Sequence, residues 1–284
     1  MPDRISTVNQ VFTAESVISE PLLFKEMRLY SAHLKRLVKL TLLQPAILPD
    51  TIPMSVLLVF DGQDFPALRM QKTLEENCLG FPEKPLLVVG IHANKDRIYE
   101  YGTASQPDYA YRGNKAANTT HFVTSELMPY LKANFTLSKN RSDWSVAGFS
   151  LSGLMAMDIA WHHSEYFSQV GVFSGSFWWR QRALEDDYEE SDRIMHSIIR
   201  NTPSRPPIKF WFQTGTRDEE SDRDNDGIID SIDDTLDLIA ELERKGFAWG
   251  NDIRYEEVQD GEHHPSTWAK VFPDFLHWVM KMKS

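Results

Sequence analysis

The sequence predicts an α/β protein with a mostly parallel central sheet and helices on both of its faces. Short, continuously apolar segments alternate with amphipathic segments along the chain. Continuous apolar runs are typical of strands buried on both faces, as in parallel sheets. The 284 residues, 42% of them hydrophobic, suffice for one large core, and no internal repeat or linker interrupts them. We therefore predict a single domain over residues 1–284.

The predicted strands are of two kinds. Residues 36–43 alternate between apolar and polar side chains, which indicates a half-exposed antiparallel strand near a sheet edge. Residues 253–258 also alternate and are a candidate for a further strand. Continuous apolar runs predict buried strands at 55–60, 86–91, 144–147, 169–173 and 208–212.

Helical patterns lie between the predicted strands. They cover residues 67–77, 120–134, 153–162, 191–200, 231–245 and 268–282. Strands that alternate with helices indicate parallel strands joined by helical crossovers. In such sheets the active site lies at the carboxyl ends of the strands.

Composition limits the expected partners and location. The net charge of −11 argues against a basic surface for nucleic acid. No apolar run approaches the length of a membrane span, and the first residues lack a signal-peptide pattern, so we expect a cytoplasmic protein that is not membrane-bound. The single cysteine, Cys78, excludes an intramolecular disulfide and is expected to be a small buried apolar side chain. The sequence carries no signal for an oligomeric state.

The most informative motif surrounds Ser150. It reads Gly-Phe-Ser-Leu-Ser-Gly and lies between an apolar strand and a helical segment. A nucleophile elbow needs this strand–turn–helix context, with small residues on both sides of the serine. Gly148 meets this requirement, and Ser152 stands where glycine is usual. The motif predicts that the Ser150 hydroxyl faces the start of a helix, whose N–H groups favour a developing negative charge. The alternative is a serine in an ordinary turn.

A serine nucleophile needs a base, and the base needs an orienting acid. At an elbow of this kind the chain order is serine, acid, histidine. Asp218 follows a predicted buried strand and is our choice for the acid, with Glu219 as the alternative. His263 and His264 both lie between the last predicted strand and the final helix, so position alone admits either. Solvated loop side chains are the alternative interpretation.

A site with a serine nucleophile also needs two N–H donors for the oxyanion. One is the backbone N–H of Leu151, the residue after the proposed nucleophile. The second is expected from a loop after an early strand, where Gly62 permits close backbone approach and Gln63 offers its N–H.

Six segments have a common resemblance, in this order along the chain: Leu57–Phe65, Arg97–Tyr101, Phe122–Leu131, Gly148–Gly153, Phe173–Trp179 and Gly261–Trp268. They resemble the esterase family that includes enterochelin (siderophore) esterases, esterase D, feruloyl and acetyl xylan esterases and the mycolyltransferases. The resemblance spans nearly the whole chain. It implies an α/β-hydrolase fold and a serine esterase without a metal or organic cofactor in its chemistry. It also favours His263 over His264, because Gly-Glu-His followed by Trp268 is similar to the family's histidine loop.

The resemblance implies a role for each residue of the site. Ser150 would attack the carbonyl of a small ester, such as a siderophore, and His263 would transfer the proton to the leaving alcohol. Asp218 would orient the imidazole, and the N–H groups of Leu151 and Gln63 would bind the oxyanion.

Further segments suggest substrate contacts. Trp178 and Trp179 end a predicted strand and are candidates for an acyl or sugar platform, with core packing as the alternative. Arg97 and Tyr101 belong to the family-like Arg-x-x-Glu-Tyr segment and are further candidates. An alternative enzymatic reading is a carbohydrate esterase that removes acetyl or feruloyl groups.

Residues 222–233 resemble the calcium loops of EF-hands and dockerins. They read Asp-x-Asp-x-Asp-Gly-x-Ile-x-x-x-Asp, and the glycine permits the sharp turn that such loops need. The expected calcium ligands are the side chains of Asp222, Asp224, Asp226 and Asp233 and the carbonyl of Ile228. We expect a structural calcium ion that fixes the loop of the acid. The alternatives are a solvated loop whose aspartates cap the next helix, and a non-catalytic calcium-dependent binding protein on a hydrolase fold.

Overall fold

The computed structural model describes residues 22–49, 51–77 and 85–281, and the expectation for Cys78 lies outside them. Eight strands form one sheet. They are β1 (Leu22–Ser31), β2 (Arg36–Pro45), β3 (Ser55–Phe60), β4 (Leu86–Ile91), β5 (Trp144–Phe149), β6 (Gln169–Phe173), β7 (Lys209–Arg217) and β8 (Ile253–Glu262). The sheet order is β1-β2-β4-β3-β5-β6-β7-β8. β1 and β2 run antiparallel to their neighbours and all other pairs are parallel, which confirms the predicted fold class.

The helices of the described chain are α1 (Met70–Asn77), α2 (Arg97–Glu100), α3 (Ala116–His121), α4 (Met128–Asn134), α5 (Leu151–His162), α6 (Ile194–Asn201), α7 (Asp230–Arg244) and α8 (Pro265–Lys281). A π-helical segment, Phe122–Leu127, joins α3 to α4. The single helix predicted for residues 120–134 is therefore three consecutive segments. Short 3₁₀ turns occupy Gly62–Asp64, Arg141–Asp143 and Glu190–Asp192.

Most predicted strands are confirmed, several with longer bounds. The strand expected at 253–258 is β8, which continues to Glu262. The strand expected near a sheet edge is β2, but β1 lies outside it and forms the edge. Strand β1 was not predicted, because most of its side chains are exposed and no buried apolar alternation marks it.

The sheet separates two apolar cores. Val146 of β5 faces the core shared with α3 to α7, whereas its neighbour Ala147 faces the core shared with α1 and α8. This alternation follows from the two-residue period of a strand. Helix α5 is buried from Leu151 to Trp161, which explains why its apolar residues surround the helix instead of forming one stripe.

The sheet brings distant chemical groups to one edge. Ser150 follows β5, Ser174 follows β6, Asp218 follows β7 and His263 follows β8, each directly. Asp61 follows β3 in the same way. Because these strands are parallel, their carboxyl ends meet at the same edge, where ligands bind in open α/β sheets. Among the described residues, no helix is both long and apolar enough to cross a membrane.

Candidate active site

Ser150 has the backbone conformation of an elbow. Its φ of 56° and ψ of −124° lie in a region that residues other than glycine rarely adopt. Backbone hydrogen bonds to the end of β6 and the segment after it hold this conformation. The Ser150 N–H donates to the Phe173 carbonyl at 2.8 Å, and the Ser150 carbonyl accepts the Ser176 N–H at 3.1 Å. The strained turn therefore depends on the end of β6 as well as on its own residues.

The small residues beside Ser150 have distinct tasks. A side chain at Gly148 would overlap the Ser152 carbonyl, so this position needs glycine. Ser152 is fully buried, and its hydroxyl donates to the Phe149 carbonyl and accepts the Phe149 N–H, both at 2.8 Å. The serine that replaces the usual glycine therefore closes the turn through two hydrogen bonds.

A cavity of about 400 Å³ opens at Ser150. Six residues predicted for the site line it: Arg97, Ser150, Leu151, Trp178, Asp218 and His263. Ser174, Ser176, Glu219 and Ser231 line it as well. The fold thus gathers the three candidates for the triad, which are widely separated in sequence, around one space.

Asp218 lines this cavity and is largely buried. Its Oδ2 accepts the Gly215 N–H at 3.0 Å. Burial raises the pKa of the Asp218 carboxyl, while hydrogen bonds from Gly215 and Ser174 and the charge of His263 act against this rise. A side chain at Gly215 would overlap the backbone of Gly261, so β7 and β8 approach closely beside the acid and the histidine.

Asp218 and the alternative acid, Glu219, have different surroundings. Both carboxylates line the cavity, but the carboxylate whose charge acts on His263 is Asp218. Glu219 instead accepts the backbone N–H of Ser231 at the start of α7, and burial together with Asp230 raises its pKa. This geometry supports Asp218 as the partner of the histidine.

His263 and His264 also differ in their surroundings. The ring of His263 contacts that of Trp268 edge to face, with 5.5 Å between centroids. Desolvation lowers the pKa of His263, Arg97 lowers it further, and Asp218 opposes both effects. His264 is exposed, its Nδ1 accepts the Ser266 N–H at 3.2 Å, and it is not among the described residues that line the cavity. The geometry therefore supports His263.

The two proposed oxyanion donors occupy different positions. Leu151 is the first residue of α5 and lines the cavity. Gln63 lies in the 3₁₀ turn after β3, and its side chain faces a neighbouring cavity and is not among the described residues around Ser150. Gln63 Nε2 donates to Asp61 Oδ1 at 2.9 Å, and its Oε1 accepts the Ala93 N–H at 2.9 Å. Only the backbone of Gln63 is thus left for an oxyanion.

The four expected substrate residues fall into two groups. Trp178 is half-buried and lines the cavity together with Arg97. Trp179 and Tyr101 are almost fully buried and are not among the described lining residues. Trp179 packs against Gly102 and Gly113, where a side chain would overlap its ring. For Trp179 and Tyr101 the structure therefore shows core packing, since their rings fill space under the loop that follows β4.

Residues 222–233 form a tight acidic loop. Carboxylate oxygens of Asp222, Asp224 and Asp226 lie within 4.8 Å of one another. Gly227 has a φ of +94°, and its N–H donates to Asp222 Oδ2 at 3.0 Å. Burial and the charges of Asp226 and Asp224 raise the pKa of Asp233 to about 6. The residue before α7 is Ile229, whose side chain makes no capping hydrogen bond, so none of the loop's aspartates occupies the N-cap position.

An arginine side chain that was not predicted to have a role, Arg223, fixes the acidic loop to its surroundings. Arg223 contacts Asp230 at 3.1 Å and Asp234 at 2.8 Å. Asp234 also contacts Arg193, the residue before α6, at 2.6 Å. Roles for Asp61 and Ser174 were missed as well, although the position of each directly after a strand was a usable signal.

Comparison with known proteins identifies a family. Residues 31–279 match the family described as "Putative esterase". The protein YbbA of Bacillus subtilis (strain 168), described as uncharacterized, is 23% identical over 235 residues, which cover 77% of this chain and 87% of YbbA.

Solved structures share the fold at low sequence identity. The enterobactin esterase FES from Shigella flexneri, crystallised with enterobactin, has a TM-score of 0.68 and 19% identity over 91% of this chain and 59% of its own. A ferulic acid esterase has a TM-score of 0.67 and 14% identity over 92% and 98%. The BES protein from Bacillus cereus has a TM-score of 0.64 and 16% identity over 98% and 99%. This chain spans about three fifths of the length of the enterobactin esterase. Since the family match extends over most of the sequence, the chain belongs to the "Putative esterase" family.

Proposed function

We propose that the protein is a serine carboxylic ester hydrolase with Ser150, His263 and Asp218 as its triad. The observation that carries the proposal is the convergence of these residues on one cavity, with Ser150 held in the elbow conformation. An ordinary turn serine needs neither a strained φ nor a neighbouring histidine and buried carboxylate. Membership of an esterase family supports the same reaction.

The proposed reaction has two stages. The Ser150 hydroxyl oxygen attacks the ester carbonyl carbon while His263 takes the hydroxyl proton, and the tetrahedral intermediate expels the alcohol, which receives that proton. Water then attacks the acyl-enzyme with His263 again as base, which releases the acid and restores Ser150. Asp218 holds the imidazole orientation and stabilises its charged form. The lowered pKa of His263 keeps the ring neutral at pH 7, as a base requires.

The negative charge of the tetrahedral oxygen needs fixed donors. The N–H of Leu151 lies at the start of α5, where helix N–H groups are free of intrahelical partners. The N–H of Gln63 is the proposed second donor, in the turn that follows β3. Neither donor requires a metal or an organic cofactor.

The proposed substrate is a small ester, such as a siderophore ester. Trp178 provides a half-buried aromatic wall at the cavity, suited to a flat acyl or alcohol group. The same wall, and the similarity to a ferulic acid esterase structure, support a carbohydrate esterase as the second candidate. A siderophore triester and a feruloylated oligosaccharide, assayed side by side, would distinguish the two.

The first experiment measures hydrolysis of p-nitrophenyl acetate and butyrate by the wild type and by Ser150→Ala. We expect turnover in the wild type only, together with fluorophosphonate labelling that Ser150→Ala abolishes. Ser142→Ala is the matched control, because Ser142 is exposed and is not among the described residues around the cavity. Wild-type turnover by a folded Ser150→Ala protein would contradict the proposed nucleophile.

We also propose that residues 222–233 bind calcium as a structural ion. The donors present fit the ion: three carboxylates converge, and Asp233 lies close enough for the charges of Asp224 and Asp226 to raise its pKa. A bound cation would neutralise the repulsion between the carboxylates of this loop. Arg223 connects the loop to α7. The first turn of α7 in turn contacts Glu219, the neighbour of Asp218. A non-catalytic calcium-dependent binding protein would use the same loop without the triad, and the assay above separates these functions.

Calorimetric titration of chelator-treated protein tests the calcium proposal. We expect heat of binding in the wild type and none in Asp224→Asn/Asp226→Asn. Asp274→Asn serves as the control, because it removes one exposed carboxylate from α8. Absence of heat in the wild type at millimolar calcium would contradict the proposal.

A further inference from the structure

The pair formed by Arg97 and Asp61 connects the two sides of the candidate active site. Arg97 Nε donates to Asp61 Oδ1 at 2.8 Å, and Arg97 Nη2 donates to Asp61 Oδ2 at 2.6 Å. This two-pronged geometry is the strong, directional form of an arginine–carboxylate contact. Nη2 also lies 3.4 Å from the carbonyl of Phe149, the residue before Ser150. One side chain thus contacts the loop after β3 and the elbow after β5.

Asp61 needs such a partner because its carboxylate is buried. Its φ of 60° and ψ of 43° are left-handed, and it is only 2% exposed. Its Oδ1 also accepts Gln63 Nε2, and Gln63 Oε1 accepts the Ala93 N–H, so the carboxylate holds the side chain of Gln63 as well. Gly62, between them, approaches Gly90 so closely that a Cβ would lie 2.6 Å from the Gly90 carbonyl carbon. The turn is therefore held by the packing of Gly62 against β4 and by the hydrogen bonds from Arg97 to Asp61.

Arg97 is itself positioned by packing. Its guanidinium lies 5.3 Å from the ring centroid of Tyr101, which is buried and contacts Phe60 edge to face at 5.3 Å. Phe60 is the last residue of β3. The core position of Tyr101, unexpected for a substrate contact, thereby gives the arginine a fixed support.

We infer that Arg97 is a positioning residue, which through Asp61 sets the Gln63 N–H of the oxyanion site and its spacing from Ser150, instead of serving chiefly as a substrate contact. Two of its nitrogens already bind protein groups, which limits what it can offer a substrate. This inference rests on the proposed esterase function. The pair also differs from a surface ion pair, because Asp61 is buried. Asp61 is not among the described residues that line the cavity, so it would act on the site through its neighbours.

The test uses p-nitrophenyl acetate, an ester without the anionic group that a substrate-binding arginine would pair with. We expect Arg97→Lys and Asp61→Asn each to lower kcat by about 10- to 100-fold, the loss typical of misplaced donors, with KM changed by about twofold or less. The double variant Asp61→Asn/Arg97→Met removes both charges together and so leaves no unpaired buried charge. It should be as slow as the single variants, because both residues act through one contact. Lys95→Met, which removes an exposed cation two residues away, is the matched control.

A pH profile separates the charge of Arg97 from its geometry. Among the described residues, the charged side chains that act on His263 are Asp218 and Arg97. Arg97→Met should move the acid limb of kcat/KM upward, whereas Arg97→Lys should keep the limb in place and still lower kcat. Wild-type kcat in the folded double variant would overturn the positioning role. Turnover by the wild type and its loss in Ser150→Ala test the esterase function without any Arg97 variant. Failure of the positioning role can therefore be distinguished from failure of the proposed function.

Discussion

The indole N–H of Trp268 donates a hydrogen bond of 2.9 Å to the hydroxyl of Ser174. Ser174 directly follows β6, and Trp268 lies in the first turn of α8. The ring of Trp268 also contacts His263 edge to face. The bond therefore connects the start of α8, against which His263 packs, to the strand end beside the elbow.

Trp268→Phe should slow hydrolysis without removing any proposed catalytic group. The substitution keeps an aromatic ring but leaves the buried Ser174 hydroxyl without its donor, which costs about 1–2 kcal/mol of unfolding free energy. We expect kcat to fall several-fold while KM changes little. Trp249→Phe, at an exposed tryptophan, is the control for ring replacement. Unchanged kcat and stability would show that the bond does not position His263.

Ser152→Gly restores the residue usual at this position of an elbow, and we nevertheless expect it to destabilise the protein. Both hydrogen bonds to the Phe149 backbone are lost in a fully buried position, so the unfolding free energy should fall by about 2–3 kcal/mol. Ser152→Ala removes the hydroxyl but keeps the helix-favouring Cβ, and it should lose about 1 kcal/mol less. Denaturant titration measures both values, and a stabilised glycine variant would contradict this account.

Gly148→Ala should disrupt the elbow. The added Cβ would overlap the backbone of Ser152, which no rotamer change can relieve. We expect a loss of about 3 kcal/mol or more in stability, with loss of fluorophosphonate labelling. Gly250→Ala is an informative comparison, since its φ of +74° is strained but open space surrounds it. A stable and fully labelled Gly148→Ala protein would show that the turn can move.

The pH dependence of hydrolysis should report the lowered pKa of His263. The base must be neutral, and a lowered pKa keeps it neutral to more acidic pH than an ordinary histidine. We therefore expect the acid limb of kcat/KM to have its midpoint below about 6.5. The limb belongs to the coupled His263–Asp218 pair, so Asp218→Asn should change it. A midpoint well above 6.5 would show that desolvation does not lower the pKa of His263.

The raised pKa of Asp233 predicts that, without calcium, the stability of the protein depends on pH. This pKa is raised to about 6, so between about pH 4 and 6 the folded state binds more protons than the unfolded state. Stability should therefore fall as the pH rises through that window. In chelator, Asp233→Asn should raise the unfolding free energy at pH 7 by up to about 1 kcal/mol, since solvent screens this partly exposed carboxylate. The gain should vanish near pH 4, and a gain that persists there would have another cause.

Several parts of this protein follow from sequence alone. The apolar runs of β3, β4 and β6 coincide with the predicted strands, because strands buried on both faces need continuous apolar side chains. The short motif around Ser150 predicted the elbow, since close strand–helix approach admits only small residues at Gly148. The order of serine, acid and histidine likewise selected residues that the fold brings to one cavity.

Other features were decided only by the tertiary structure. Sequence admitted both Asp218 and Glu219, and only the folded chain shows that β7 and β8 approach closely beside Asp218 and that its charge acts on His263. Trp179 and Trp178 are neighbours of the same type, yet one fills the core and the other lines the cavity. The pairing of Arg97 with Asp61 joins segments that lie far apart in the chain. Periodicity and motifs describe contacts between near neighbours, whereas these outcomes depend on which distant segments the folded chain places together.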